Sequence, residues 1–170
     1  MLKETLHTRY HQADQKLFTI PGIYFTVSAH SEGFTRLNAF DNCLLDAGIG
    51  DTNIIKMSSI IPPGCTRTAP VPLPPGALVP AAYAYICSET PGEVIAAGVA
   101  VAVPDDESLA GLIMEYADTR PLNEVLAKVE EMAVRGFERR RRKLKYISTT
   151  GSEHRVVTLG AAFAGVVLWY

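Results

Sequence analysis

The sequence has few cysteines and no surplus of charge of either sign. Cys43, Cys65 and Cys87 are an odd number at wide spacing, which argues against a disulfide scaffold or a structural zinc site and suits a reducing cytoplasm. Lysine and arginine together number 16 against 18 aspartates and glutamates, so the net charge is -2 and no basic field indicates nucleic acid or anionic lipid. The expected partner is a small molecule or another protein, with no nucleic acid and no membrane.

Long apolar runs are absent too. Residues 159–170 are apolar, but this run is only about half of the ~20 residues that a membrane-spanning helix needs. The N-terminus lacks the continuous apolar core of a signal peptide, so we expect a cytoplasmic chain. Apolar residues still make up 48% of the 170 residues, which is enough for one sizeable core, and a single domain over residues 1–170 is predicted.

The signatures of several common enzyme classes are missing. There is no phosphate-binding Gly-x-x-x-x-Gly-Lys-Ser/Thr loop, no Gly-x-Gly-x-x-Gly fingerprint, no Gly-x-Ser-x-Gly elbow and no His-Glu-x-x-His. His7 and His11 would share one face of a helix, but no acidic third ligand accompanies them. Residues 1–15 are polar and aperiodic, so we interpret them as a flexible arm and expect no metal.

Apolar patterns predict strands in groups, with helices interspersed but no regular βαβ rhythm, which favours a mostly antiparallel α+β architecture. Strands are predicted at residues 23–29, 53–61, 77–87 and 93–103, another apolar run lies at 109–116, and helices are predicted from an Asn38 cap to about Ala47 and over residues 122–137. The basic residues 139–143 follow the second helix. They could form a nucleic-acid or targeting patch, but cations also interact favourably with the dipole at a helix C-terminus, so we interpret them as a solvated helix end. Two serines, Ser58 and Ser59, interrupt the second predicted strand, and two hydroxyl side chains in the middle of an apolar strand are unusual.

Several short blocks follow one another in a fixed order. They are Leu-Asn-Ala-Phe-Asp at 37–41, Ala-Gly-Ile-Gly at 47–50, Asn53, Met-Ser-Ser-Ile-Ile-Pro-Pro at 57–63, Gly-Ala-Leu-Val-Pro at 76–80, Pro-Gly-Glu at 91–93, Gly-Leu-Ile-Met-Glu-Tyr at 111–116, Glu-His at 153–154 and the ending from Phe-Ala at 163–164 to Leu-Trp-Tyr at 168–170. In this order they resemble the pyruvoyl-dependent arginine decarboxylases of archaea and some bacteria. A collinear series is far more specific than any single motif.

The resemblance implies that the chain cuts itself between Ser58 and Ser59, giving chains 1–58 and 59–170. The Ser59 hydroxyl would attack the Ser58 carbonyl, and β-elimination and hydrolysis would leave a pyruvoyl group at position 59. This ketone would form a Schiff base with the substrate amine and accept the electrons released with CO₂, the role that pyridoxal phosphate plays elsewhere. Neither pyridoxal phosphate nor a metal is then expected.

The resemblance also assigns roles to four other residues. Asn53 would assist the cleavage as an oxyanion donor, or else be a turn residue. Glu115 would be the general acid that protonates Cα, or else an outward-facing strand glutamate. Asp41, expected in the first turn of its helix, would bind the guanidinium of arginine, with Leu44 lining the pocket one turn along. The alternative for Asp41 is a helix carboxylate without a ligand.

The family fold is a four-layer α/β/β/α sandwich, assembled as a trimer of cleaved protomers with active sites between neighbours. We therefore expect a homo-oligomeric enzyme that converts L-arginine to agmatine and CO₂, a step that would feed polyamine synthesis or consume acid. Two alternatives stay open at this point. One is the same chemistry on another amino acid, and the other is an uncleaved, non-catalytic relative with a binding or assembly role.

Overall fold

The computed structural model of the chain describes residues 19–170. The expected arm at residues 1–15, with the His7 and His11 pair, therefore lies outside the described residues. In the described part, nine strands and two helices follow one another: β1 (Ile23–Glu32), α1 (Arg36–Asp46), β2 (Asn53–Lys56), β3 (Ile60–Ile61), β4 (Thr66–Arg67), β5 (Leu78–Ser88), β6 (Val94–Pro104), β7 (Gly111–Asp118), α2 (Leu122–Arg140), β8 (Leu144–Arg155) and β9 (Gly160–Trp169).

The strands form two sheets, and the expected α+β class is confirmed. The first sheet has the order β2-β5-β9-β1-β4 and is mixed, because β2 runs parallel to β5 and β4 parallel to β1, whereas β9 is antiparallel to both of its neighbours. The second sheet has the order β3-β7-β6-β8 and is antiparallel. The strands on either side of the serine pair, β2 and β3, thus belong to different sheets.

Each sheet carries one helix and contributes its other face to a shared core. Cys43 and Leu44 of α1 pack with Phe163 of the first sheet, and Val129 and Phe137 of α2 pack on the second sheet. The two sheets meet through small and β-branched side chains of β6 and β9, both of which are buried along nearly their whole length. Truncation of a fully buried side chain such as Phe163 to alanine would cost about 3–5 kcal/mol.

The start of α1 differs from the prediction. Thr35, not Asn38, is the N-cap, because its hydroxyl accepts a hydrogen bond from the Asn38 N–H at 3.2 Å and satisfies one of the free donors of the first turn. The helix therefore begins at Arg36, earlier than expected. The placement of Asp41 in the first turn is wrong, since that turn contains no acidic residue and Asp41 falls one turn later.

The predicted strand at residues 53–61 is also wrong as a single element. β2 ends at Lys56 and belongs to the first sheet, and β3 begins at Ile60 and belongs to the second. The apolar run is continuous in sequence because each half is a strand, but it is interrupted in space by residues 57–59. The serine pair therefore lies where the chain crosses from the first sheet to the second.

The amphipathic helix predicted at residues 122–137 is confirmed as α2, with Val125, Val129 and Phe137 on its buried face. The basic stretch is confirmed as a helix end, because Arg139 and Arg140 occupy the last turn of α2. Beyond it, Arg142 donates to Ala110 O at 2.5 Å and ties this end to the start of β7. No helix within residues 19–170 combines the length and apolar character needed to cross a membrane.

Candidate active site

The chain crosses from one sheet to the other at the Ser58–Ser59 pair. The Met57 N–H donates to Ala81 O of the first sheet at 2.9 Å. Ser59 O accepts from the Ile113 N–H of the second sheet, also at 2.9 Å. Ser58 lies exposed between these two anchors. The peptide bond expected to be cut is therefore fixed on both sides and accessible in the middle.

The backbone of Ser59 is strained. Its φ of 72° lies in the left-handed region that residues other than glycine rarely adopt. Among residues 19–170, the other non-glycine residue with a positive φ is Arg141, which caps the C-terminus of α2, where this conformation is usual. Such strain costs on the order of 1–3 kcal/mol and persists only where the surroundings hold it. It indicates a functional constraint next to the expected cleavage point.

The Ser59 hydroxyl is held by a carboxylate. Its Oγ donates to Glu115, at 3.0 Å from Oε1 and 2.8 Å from Oε2. Both side chains are half-buried, and Glu115 comes from β7, the strand that also pairs with β3. The structure thus brings together two of the sequence-predicted site residues that are separated by 56 positions. These hydrogen bonds fix the orientation of the Ser59 hydroxyl and place the Glu115 carboxylate directly beside residue 59.

The Glu115 side chain points from β7 toward the core between the sheets, not toward solvent. Side chains alternate between the faces of a strand, so Glu115 shares its face with Ile113 and Ala117. Those two residues belong to the core between the sheets, whereas Met114 and Tyr116 pack on the α2 side. The alternative of an outward-facing strand glutamate is therefore wrong.

Asn53 lies at the opposite end of β2 from the serine pair. At ~3.3 Å per residue, its Cα is on the order of 15 Å from that of Ser58 along the strand. Its amide Nδ2 donates to Gly76 O at 3.0 Å and its backbone N–H donates to Ala77 O at 2.8 Å. The described contacts of Asn53 are therefore those of a residue that joins two turns, and the structure does not bring it to Ser58 within one chain.

The two residues expected to bind substrate lie on α1, away from the serine pair. Leu44 is 6% exposed and packs in the core between α1 and the first sheet. Asp41, three residues before Leu44 and thus on an adjoining part of the helix surface, is exposed. Within residues 19–170, no hydrogen bond or ion pair joins Asp41 to Ser59 or Glu115. The assignment of Asp41 and Leu44 to a pocket therefore stays a prediction for the single chain.

The surface around the crossing is apolar. A cavity of about 600 Å³ lies beside it, lined by Ile20, Ile55, Met57, Ile60, Leu78, Pro80, Tyr170 and neighbouring residues. Several of these side chains are large and exposed, and Leu78 is 60% exposed. Contiguous apolar patches of this kind usually mark an interaction site on a soluble protein.

Sequence reasoning missed Lys56. Its ammonium donates to Tyr83 O at 2.6 Å and lies 4.5 Å from the centroid of the Tyr83 ring. A signal was present, because Lys56 is the only charged residue between Asn53 and Pro63. A lone cation beside a serine pair in an apolar run indicates a specific position for that charge.

A second polar cluster lies around Glu32, the last residue of β1. His154 Nε2 and Glu32 Oε1 are 2.5 Å apart, and Glu32 also accepts hydrogen bonds from the backbone N–H groups of Val157, Thr158 and Leu159. Desolvation raises the pKa of Glu32, but these four hydrogen bonds together outweigh it and lower the pKa to about 2. Glu32 therefore holds the turn between β8 and β9 as a carboxylate.

A strained serine between two sheets, with its hydroxyl on a carboxylate and the preceding peptide bond exposed, is the arrangement expected of a chain that cuts itself at serine. Comparison with known proteins points the same way. A family model described as pyruvoyl-dependent arginine decarboxylase matches residues 23–167. The chain belongs to this family.

Two relatives illustrate how close the match is. A pyruvoyl-dependent arginine decarboxylase of Methanocaldococcus jannaschii is 51% identical over 154 residues, which cover 90% of this chain and 93% of the relative. One from Methanococcus maripaludis is 45% identical over 156 residues, with the same shares covered. Among solved structures, a pyruvoyl-dependent histidine decarboxylase superposes with a TM-score of 0.45 at 15% identity, covering 54% of this chain and 50% of that one. A likeness this distant carries no argument about function.

Proposed function

We propose that this chain cuts itself between Ser58 and Ser59 and then decarboxylates L-arginine to agmatine and CO₂. The observation that carries the proposal is the strained Ser59 with its hydroxyl on Glu115. The names of the relatives, at 51% and 45% identity, support both the pyruvoyl group and the arginine substrate. Cleavage would give chains 1–58 and 59–170 of one domain.

The cleavage needs no external catalyst. Ser59 Oγ loses its proton and forms a bond to the Ser58 carbonyl carbon, the carbon–nitrogen bond breaks, and the nitrogen takes up a proton, which leaves an ester. Loss of the Ser59 Cα proton with breakage of the Cβ–Oγ bond then releases the Ser58 carboxylate. One water replaces the nitrogen of residue 59, which departs as ammonia. The contact with Glu115 supports this course because it fixes the oxygen that attacks.

Position 59 fits a pyruvoyl group. The residue is a serine, the carbonyl before it lies in an exposed segment, and a carboxylate stands beside it. When formed there, the group supplies an electron-accepting carbonyl for the pair released as CO₂ leaves. In the described part of the chain, no group of three or more His, Cys, Asp and Glu side chains could hold a metal ion.

Glu115 is proposed to deliver the proton that replaces CO₂ on the substrate. It lies within hydrogen-bond reach of the Ser59 side chain, so it would face a substrate attached at that position. Its place on the inner face of β7, beside the buried Ile113, limits access of bulk water to that proton. Glu115 would thus control where protonation occurs.

Asp41 is proposed to bind the guanidinium of arginine in a neighbouring subunit's site. Within one chain Asp41 lies away from Ser59, but Leu37 and Leu45, one turn to either side on the same helix face, are 74% and 51% exposed. This face of α1 and the apolar surface around β2 and β3 are two exposed patches that a second copy could join. We therefore propose a trimer of cleaved protomers, each a four-layer α/β/β/α sandwich, with sites between neighbours.

The test is release of CO₂ from arginine, ornithine, lysine, histidine and aspartate by the purified protein. Arginine alone is expected to be turned over. Asp41→Ala is expected to lower kcat/KM for arginine roughly 10- to 150-fold, because it removes a charge-assisted hydrogen-bonded pair worth about 1.5–3 kcal/mol. Asp46→Ala, which removes an exposed carboxylate of the same helix, is the control. Unchanged turnover by Asp41→Ala would overturn the pocket assignment, and turnover of another amino acid would overturn the substrate.

A further inference from the structure

The position of Lys56 follows from how β2 leaves the first sheet. In the parallel ladder between β2 and β5, the N–H of Asn53 donates to Ala77 O and the N–H of Met57 donates to Ala81 O. Each donor on β2 therefore bonds the carbonyl of the residue 24 positions later. The next bond in this series would join the Ser59 N–H to Tyr83 O. The chain instead turns away toward the second sheet, where Ser59 O meets Ile113.

The Lys56 ammonium occupies the vacated place in the ladder. It donates to Tyr83 O at 2.6 Å, the carbonyl that Ser59 would otherwise have bonded. The side chain therefore runs forward along the strand, past Met57, to the place that Ser59 would have taken if the ladder had continued. The Tyr83 ring, 4.5 Å from the ammonium, supports the charge from one side. Within residues 19–170 no carboxylate forms an ion pair with Lys56.

Negative charge arises on Ser58, two residues after Lys56, during self-cleavage. When Ser59 Oγ bonds to the Ser58 carbonyl carbon, the carbonyl electron pair moves onto its oxygen, and the later elimination leaves a carboxylate on Ser58. Preorganised positive groups stabilise such charge most where water is partly excluded. Asn53, the residue expected to assist here, bonds Gly76 O at the far end of β2.

We propose that the Lys56 ammonium stabilises the negative charge that develops on Ser58 during self-cleavage. The inference rests on the proposed self-cleavage and adds a residue to it. Lys56 also frees Ser59 from the ladder, because it satisfies the carbonyl that Ser59 leaves behind. The cation thus both permits the strained conformation of Ser59 and supports the charge that its attack creates.

The experiment follows cleavage in time. Full-length chains are made in a timed cell-free translation, sampled, denatured and weighed by mass spectrometry, and the rate of loss of the uncut chain is compared for wild type, Lys56→Met, Lys56→Gln and Lys56→Arg. Met and Gln are expected to slow cleavage at least ~10-fold, and Arg is expected to keep most of the rate. Lys145→Met, at an exposed lysine on β8, is the matched control.

The variants separate charge from hydrogen bonding and from folding. Gln can still donate to Tyr83 O but carries no charge, so a wild-type rate in Lys56→Gln would overturn the proposal, as would a wild-type rate in Lys56→Met or a slow rate in Lys56→Arg. Thermal unfolding of each variant in a Ser59→Ala background reports folding alone, and for Gln and Arg it is expected to match the Ser59→Ala parent. A wild-type chain that never cuts would overturn the proposed function as well.

Discussion

At the scale of single residues, Ser59 and Glu115 are the two side chains that the proposed chemistry needs most. The serine pair was conspicuous in the sequence as two hydroxyls in an apolar run, and Glu115 as one carboxylate in another, but nothing in either run indicated that they meet. Their contact depends on β3 pairing with β7, a long-range interaction that local pattern does not encode. The family resemblance assigned both residues to the catalytic chemistry, but the strand pairing that joins them appears only in the structure.

Glu115→Gln is expected to separate cleavage from decarboxylation. The amide still accepts a hydrogen bond from the Ser59 hydroxyl, so the chain should still be cut, but it has no proton to deliver to the substrate. We expect kcat for arginine to fall roughly 10²- to 10⁴-fold, the usual range for loss of a general acid. Denaturing mass and CO₂ release on the same sample check this. Full activity in a cut Glu115→Gln protein would contradict the role of Glu115, with Glu130→Gln, at an exposed position on α2, as the control.

At the scale of elements, sequence patterns located most strands and both helices but misjudged where elements change partners. Residues 53–61 were predicted as one strand because sequence periodicity cannot show that the partner sheet changes at Met57. β8 was not predicted, because its side chains that face β1 are polar and give no apolar alternation. Thr150 bonds Thr26 at 3.0 Å and Ser152 donates to Ala29 O at 2.6 Å, so these inward side chains of the strand make hydrogen bonds rather than apolar contacts.

The turn that follows β8 should make stability depend on pH through Glu32. Its pKa is lowered to about 2 in the folded chain, so its stabilising contribution is complete above the ordinary value of 4.5 and is lost as the pH falls through about 2. Allowing for solvent screening, we expect Glu32→Gln to lower the free energy of unfolding by about 1–2 kcal/mol at pH 7.

Denaturant unfolding in a Ser59→Ala background between pH 7 and pH 2 measures this effect, with the chain kept uncut. The difference between Glu32→Gln and its parent should shrink as the pH falls from about 4.5 toward 2. A difference that stays constant over that range would show that the carboxylate is not the stabilising group.

At the scale of the whole molecule, the structure leaves two apolar surfaces exposed and the expected site divided between them. One surface is the α1 face with Leu37 and Leu45, and the other surrounds Ile55 and Leu78 near the serine pair. The sequence indicated neither surface, because an apolar residue that is exposed cannot be told from a buried one by its type alone. The proposed trimer would cover both surfaces and bring Asp41 of one protomer to Ser59 of its neighbour.

Leu78→Glu is expected to break this assembly. A carboxylate placed in the apolar surface around β2 cannot be buried without a partner, so the variant should be monomeric and should lose arginine turnover. Light scattering should give a wild-type mass of three protomers, each a pair of chains 1–58 and 59–170. Val134→Glu, at a 37% exposed position on α2, is expected to stay trimeric and active. A monomeric wild type with full activity would contradict the composite site.

The most direct test of the central claim is the mass of the denatured wild-type protein beside that of Ser59→Ala. Self-cleavage predicts two wild-type masses, one for residues 1–58 and one for residues 59–170 that is lighter than a serine-ended chain by the difference between an amine-bearing serine and a pyruvoyl group. Ser59→Ala should give one mass, that of the whole chain. An uncut wild-type chain, or a wild-type fragment that begins with intact serine, would contradict the account.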